Sequence, residues 1–122
     1  MFEPNDLVQR TRQFSLASLR FYKRLPKNPD AQVSGIQFLK ASSSVAANYR
    51  AAKRGRSKAE FIAKLGTVVE ESDECVYWLE YMRDGNIASD PELLSEAYQL
   101  RKIFGKSLGT ARRNSRHRSP VP

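Results

Sequence analysis

The chain is 122 residues long, 40% hydrophobic, with 21 Lys and Arg against 13 Asp and Glu and a formal net charge of +8. That is one domain's worth of chain with room for a modest core, and a pI near 9.9 favours nucleic acid, an anionic membrane or an acidic protein as partner, a merely solvated basic surface being the alternative. A single cysteine, Cys75, excludes an internal disulfide and fits a reducing cytoplasm; MFEPNDLVQR is not a signal peptide, and no apolar run approaches the ~20 residues of a spanning helix, so no membrane is expected.

The first helix is expected to start at Asn5 or Asp6, either a suitable N-cap, and to run to about Leu25. Leu7, Phe14, Phe21 and Leu25 fall on one stripe, with Ala17 and Ser18 between them. Pro26 ends it, and the short Lys27-Asn28 connection before Pro29 calls for an antiparallel neighbour. The second helix takes Asp30 as N-cap and runs toward Lys53. Its large apolar residues, Val33, Ile36, Phe38, Leu39, Val45 and Tyr49, spread over more than one face, which predicts burial on two sides. The run Ser42-Ser43-Ser44 is poor in helix propensity. It reads as continuous helix with hydroxyls bonding back one turn, the alternative being a kink there. Around it lie Ala41, Ala46 and Ala47, small enough to let another backbone approach.

Gly55 breaks the pattern inside the basic hinge Lys53-Arg54-Gly55-Arg56-Ser57. Ser57 and Glu60 have capping-box spacing and open a third helix to about Arg83, with Gly85 placed for a left-handed cap. At ~25 residues and 1.5 Å each it would be nearly 40 Å long. Phe61, Leu65, Val69, Ser72, Val76 and Leu79 form one stripe; Tyr77, Trp78 and Tyr81 make a second apolar face that a lone four-helix unit leaves uncovered. The fourth helix starts at Ser89-Asp90-Pro91-Glu92, with Ser89 and Asp90 as competing caps. Leu93, Ala97, Leu100, Phe104 and Leu108 are its stripe, and Gly105 and Gly109 weaken its end. The expected organisation is therefore all-α, a four-helix bundle over residues 1–109 and a basic, disordered tail over 110–122.

Three segments together resemble one family. They are Val45-Ala46-Ala47-Asn48-Tyr49-Arg50, then Arg56-Ser57-Lys58-Ala59-Glu60-Phe61-Ile62, then Glu70-Glu71-Ser72-Asp73-Glu74 with Tyr77-Trp78-Leu79-Glu80. This combination, with Gln37 ahead of the small-residue run, resembles the bacterial four-helix-bundle proteins encoded by intervening sequences of 23S ribosomal RNA genes, a family that includes the accessory protein of diversity-generating retroelements. The resemblance spans Phe21 to about Leu100. Two positions depart from it: Ala51 stands where members commonly carry Glu, and Lys40 where they often carry Arg. The resemblance implies an antiparallel up-down bundle assembling as a homo-oligomeric ring, typically a pentamer. For the retroelement member it implies binding to nucleic acid and to a reverse transcriptase. For most members it implies no defined activity, so it transfers fold more than function.

The side chains themselves offer little catalytic chemistry. Glu70 and Glu74 sit one turn apart, but di-iron bundles need Glu-x-x-His motifs and the one histidine, His117, lies in the tail. No metal and no cofactor is expected, and the acid block of Glu70, Glu71, Asp73 and Glu74 is expected to pair with basic residues of a neighbouring helix or subunit. Cys75, among acids, reads as a small buried hydrophobe rather than a nucleophile. With no acid, base and nucleophile to place together, an enzyme is not expected. Two basic clusters remain: Arg50, Lys53, Arg54, Arg56 and Lys58 at the hinge, and Arg101, Lys102, Lys106, Arg112, Arg113, Arg116 and Arg118 toward the C-terminus. Phosphate contacts need no precise geometry, so these residues are the candidate nucleic-acid site, with low sequence specificity because no aromatic is interleaved with them. In the competing reading Arg50 and Arg54 are structural, bonded to the acid block. Tyr77, Trp78 and Tyr81 are the candidate oligomer interface. The expected function is a non-enzymatic scaffold binding RNA or DNA; the alternatives are an adaptor docking an acidic partner such as a reverse transcriptase, or a structural protein of unknown role.

Overall fold

A computed structural model describes residues 6–118, with side chains described through Ser115. Four helices follow in order: α1 (Leu7–Lys23), α2 (Pro29–Lys53), α3 (Lys58–Asp84) and α4 (Pro91–Arg118), with no strand among the described residues. No helix among them is long and apolar enough to cross a membrane.

The starts of the helices are set by local chemistry. Asp6 accepts from the Gln9 N–H at 3.0 Å and caps α1; Asn5 lies outside the described residues. In α2 the cap is Asn28, not Asp30: its side chain accepts from the Ala31 N–H at 2.9 Å. Pro29 then takes the first helical position, where its missing N–H costs nothing. Ser57 accepts from the Glu60 N–H at 3.1 Å, as its spacing predicts, but the Glu60 carboxylate reaches the Arg56 amide at 3.4 Å rather than that of Ser57. Asp90 prevails over Ser89 at α4, accepting from the Leu93 N–H at 3.0 Å. The end of α3 corrects an expectation. Gly85 has φ −83°, and the left-handed residue is Asn86 at φ 57°. Ile87 N–H closes onto the Met82 carbonyl at 2.8 Å and Asn86 N–H onto that of Arg83 at 3.1 Å, a Schellman closure in which Asn substitutes for Gly.

The serine run is helical throughout. Ser42 and Ser43 hydroxyls donate back to the carbonyls of Leu39 and Lys40, each at 3.1 Å. Asn48 spans the run from below, donating to the Ser44 carbonyl at 2.9 Å and hydroxyl at 2.8 Å.

The core runs the length of the helices. Phe38 is its hub, wholly buried and edge-on to Phe14 (centroids 6.4 Å) and Phe21 (5.8 Å). Farther along, Tyr49 of α2 tilts against Phe104 of α4 at 5.0 Å. On α3 the buried line is Leu65, Val68, Ser72, Cys75, Val76, Leu79 and Met82; Phe61 and Val69, expected within it, are half-buried at its edge. Arg10 ties α1 to α4 through a two-pronged pair with Glu96 (2.8 and 2.7 Å) and a bond to Gln99 (3.0 Å), and Arg24 approaches Asp90 at 3.9 Å.

The expected end of α4 near Gly109 is also corrected: the helix continues to Arg118. Gly105 and Gly109 each weaken a helix by only about 1 kcal/mol, while Leu108 is anchored in the core and Ala111, Arg112 and Arg113 are strong helix formers. Residues 119–122 of the expected tail lie outside the described residues.

Candidate nucleic-acid interface

The hinge cluster is built by the α2–α3 turn. Arg54, the C-cap of α2, and Ser57, the N-cap of α3, leave only two residues between them. That tight turn crowds Arg50, Lys53, Arg54, Arg56 and Lys58 onto one end of the helix pair, and all five side chains are exposed. None of them forms an ion pair among the described residues. Arg50, Arg54 and Arg56 line a groove of about 650 Å³ with Lys64, Glu60, Ala47 and Ala51. Arg50 also lines a second groove, of about 700 Å³, together with Arg12 of α1 and with Ser43, Ala46 and Ala47 of α2. Arg12 and Lys64 were not singled out by the sequence, because Arg12 lies on another helix and Lys64 lies farther along α3, outside the linear charge run at the hinge.

The C-terminal cluster divides. Arg101 is engaged, its guanidinium donating to Asp73 of α3 at 2.9 Å and lying 5.4 Å from the centre of the Tyr98 ring. It therefore belongs to the α3–α4 contact. Lys102, Lys106, Arg112 and Arg113 are exposed; Arg113 donates to the Thr110 hydroxyl at 3.3 Å. The side chains of Arg116 and Arg118 lie outside the described ones, though both residues are helical.

Lys58 of the hinge and Lys106 of α4 line one groove of about 440 Å³, together with Phe61, Ser107, Thr110, Ala111 and Asn114. The two clusters, far apart in sequence, thus meet. Phe61 lines the same groove, so an aromatic accompanies the basic residues where the two clusters meet, which the expectation of clusters without one did not include.

Elsewhere the acid block is mostly without ion pairs among the described residues. Asp73 takes Arg101, but Glu70, Glu71 and Glu74 have no ion pair among the described residues. Burial raises the Glu71 pKa first, with the Glu74 charge and a hydrogen bond to Glu74 next and the Glu70 charge last. The Cys75 thiol is pushed far up by burial and by Glu71 and Glu74, which leaves no thiolate for chemistry. Among the described residues no group of three or more His, Cys, Asp or Glu side chains could hold a metal.

The candidate interface triad packs on itself: Tyr77 meets Trp78 edge to face at 4.9 Å, Trp78 meets Tyr81 edge to face at 5.3 Å, and Tyr77 and Tyr81 are tilted at 6.0 Å. Tyr77 is 54% and Tyr81 48% exposed, and Val33 and Ile36 of α2 are exposed as well. Trp78 differs, being half-buried against the core.

The comparisons with known proteins agree with this fold. The family model of the 23S rRNA-intervening sequence protein matches residues 3–107. The chain belongs to that family. A crystal structure from Bacteroides thetaiotaomicron, described as a protein of unknown function from the S23 ribosomal protein family, superposes with a TM-score of 0.76 at 24% identity. It is matched over 83% of this chain and 96% of its own, so the shared fold extends over nearly the whole of the neighbour; at that identity the likeness concerns fold alone. No curated protein matches the chain.

Proposed function

We propose that this member of the 23S rRNA-intervening sequence family is a non-enzymatic scaffold that binds RNA or DNA through backbone phosphates at its basic end. One observation carries the reading: the hinge and α4 clusters converge at Lys58 and Lys106, and of the described basic side chains in the two clusters only Arg101 is taken up by a carboxylate. Free, exposed cations repeated along a surface are what a polyanion needs, because each phosphate neutralised releases counterions.

The scaffold is an antiparallel up-down bundle that assembles with copies of itself into a ring, pentameric as the family resemblance implies. Supporting the helix order, Arg24 at the end of α1 meets Asp90 at the start of α4, while Arg10 near the start of α1 meets Glu96 and Gln99 deeper in α4. Supporting the assembly, Tyr77 and Tyr81 with Val33 and Ile36 expose large apolar side chains that water alone does not favour. In a ring the basic end is repeated around the axis, so weak contacts add up by avidity.

The test is a titration of the full chain against random-sequence RNA and duplex DNA at low salt. Binding in roughly the micromolar range, lost steeply as salt is added, is the expected result. No binding of either at tens of micromolar overturns the reading. It would favour the adaptor alternative, in which the same cations dock an acidic protein such as a reverse transcriptase.

A further inference from the structure

We infer that the groove between the start of α3 and the end of α4 takes a single-stranded segment of nucleic acid, with one unpaired base stacked on Phe61 and the flanking phosphates on Lys58 and Lys106. The inference rests on the nucleic-acid reading above and specifies it. Three features of the groove combine to select this occupant.

The first is its shape and floor. The groove is an open surface depression of about 440 Å³, shallow enough to leave one face of a base in water. Phe61 is half-buried there, anchored against the core yet lining the groove. An aromatic ring held in this way is a stacking platform, and every base has a face to offer it.

The second is charge. Lys58 and Lys106 are both exposed, and neither has a carboxylate partner among the described residues. They come from two different helices yet line the same groove, so a strand entering it meets an ammonium from each. Lys102, one turn before Lys106, and Arg113 beyond it extend the positive charge along α4.

The third is a hydrogen-bonding edge. Asn114 and Ser107 line the same groove. Asn114 offers both a donor and an acceptor that a base edge could use. A duplex cannot use this arrangement, because its bases are already stacked on one another. It can still touch Lys58 and Lys106 through phosphates. The groove therefore discriminates by strandedness, not by sequence.

The experiment compares labelled single-stranded oligonucleotides with duplexes of equal length, by fluorescence anisotropy on the full chain. Phe61→Leu is expected to weaken single-strand binding about 5- to 150-fold, the range for losing one base–aromatic stack, and to leave duplex binding within about twofold. Phe61→Trp, which keeps an aromatic face, is expected to retain the single-strand preference and to show quenched indole emission on binding, measured against the signal of Trp78 alone in the wild type. Equal loss on single strand and duplex in Phe61→Leu would make Phe61 a packing residue and overturn the inference, as would no change on either, although the basic end would then still bind. Displacement of the single strand by polyglutamate at matched charge would also overturn it, in favour of an acidic protein ligand. If the wild type binds neither nucleic acid, the nucleic-acid reading itself has failed.

Discussion

Arg101 and Asp73 face each other across α4 and α3, with the guanidinium donating to the carboxylate at 2.9 Å. Both side chains are well exposed, so the pair contributes at most about 1 kcal/mol. Its importance is in sorting the basic residues: it withdraws Arg101 from the pool of free cations while Lys102 and Lys106 remain in it. Arg101→Ala should therefore change nucleic-acid affinity no more than about twofold and lower the thermal midpoint by a few degrees at most. A large drop in affinity would show that the Asp73 pair opens to release Arg101 for binding.

The glycines of the helices divide by what a methyl group would meet. A Cβ at Gly35 would lie 2.3 Å from Leu25 Cδ1 and 3.1 Å from Tyr22 Cδ1. Leu25 is itself buried, so it has little room to give. Gly35→Ala should destabilise by roughly 1 kcal/mol, overpacking outweighing the gain in helix propensity. At Gly66 and Gly105 nothing lies within 4 Å, and Ala should stabilise each helix by about 0.5–1 kcal/mol. Chemical denaturation of the three variants checks this. Destabilisation by Gly66→Ala would mean that a second copy packs against α3 there.

Glu71 makes a pH prediction whose sign differs from that of most carboxylates. Its pKa is raised in the folded protein, chiefly by burial and then by Glu74 and Glu70. The folded state thus holds the proton more tightly than the unfolded chain. The stability it contributes is greatest below the ordinary Glu value of about 4.3 and is lost as pH rises through the raised folded value. Glu71→Gln removes this loss. The thermal midpoint of the variant relative to wild type should climb as pH rises above the ordinary Glu value of about 4.3 and through the raised folded one. A variant less stable than wild type at pH 7 would mean that the ionised carboxylate is held by a cation of another subunit.

Much of the fold was legible because the signals are local. Asp6, Ser57 and Asp90 cap helices where their side chains can reach an amide a few residues on, and such patterns read directly from sequence. The errors arose where two residues competed or where tertiary contact decided. Asn28 and Asp30 can both cap, and Pro29 settles the choice only through its place at the first helical position. Gly105 and Gly109 looked like an ending, but Leu108 between them is fastened to the core. The site was legible as composition and not as geometry. Lys58 and Lys106 belong to recognisable charge clusters, yet their meeting depends on how α3 and α4 pack. Phe61 was hidden in an apparent core stripe, since helical spacing does not distinguish an edge position from a buried one.

Assembly turns on the exposed aromatics. Tyr77 and Tyr81 are about half exposed in the protomer, so replacing both with Glu should spare the fold while removing apolar contact between copies. Sedimentation velocity should show oligomer for the wild type and monomer for the double variant, with similar helical circular dichroism for both. Trp78→Glu, by contrast, buries a charge against the core and should unfold the chain itself. A wild type that sediments as a monomer at tens of micromolar would contradict the ring.

The most direct measurement of the central claim is the salt dependence of nucleic-acid affinity for the wild type and for a variant carrying Arg50→Gln, Arg54→Gln, Lys58→Gln and Lys106→Gln. All four side chains are exposed and none is in an ion pair among the described residues, so the fold should survive their neutralisation. If the basic end holds backbone phosphates, the log–log slope on single strands should flatten by roughly 0.7 for each phosphate no longer neutralised, and affinity at low salt should fall accordingly. An unchanged slope and affinity, with the wild type still binding, would place the phosphates elsewhere on the molecule and contradict the account.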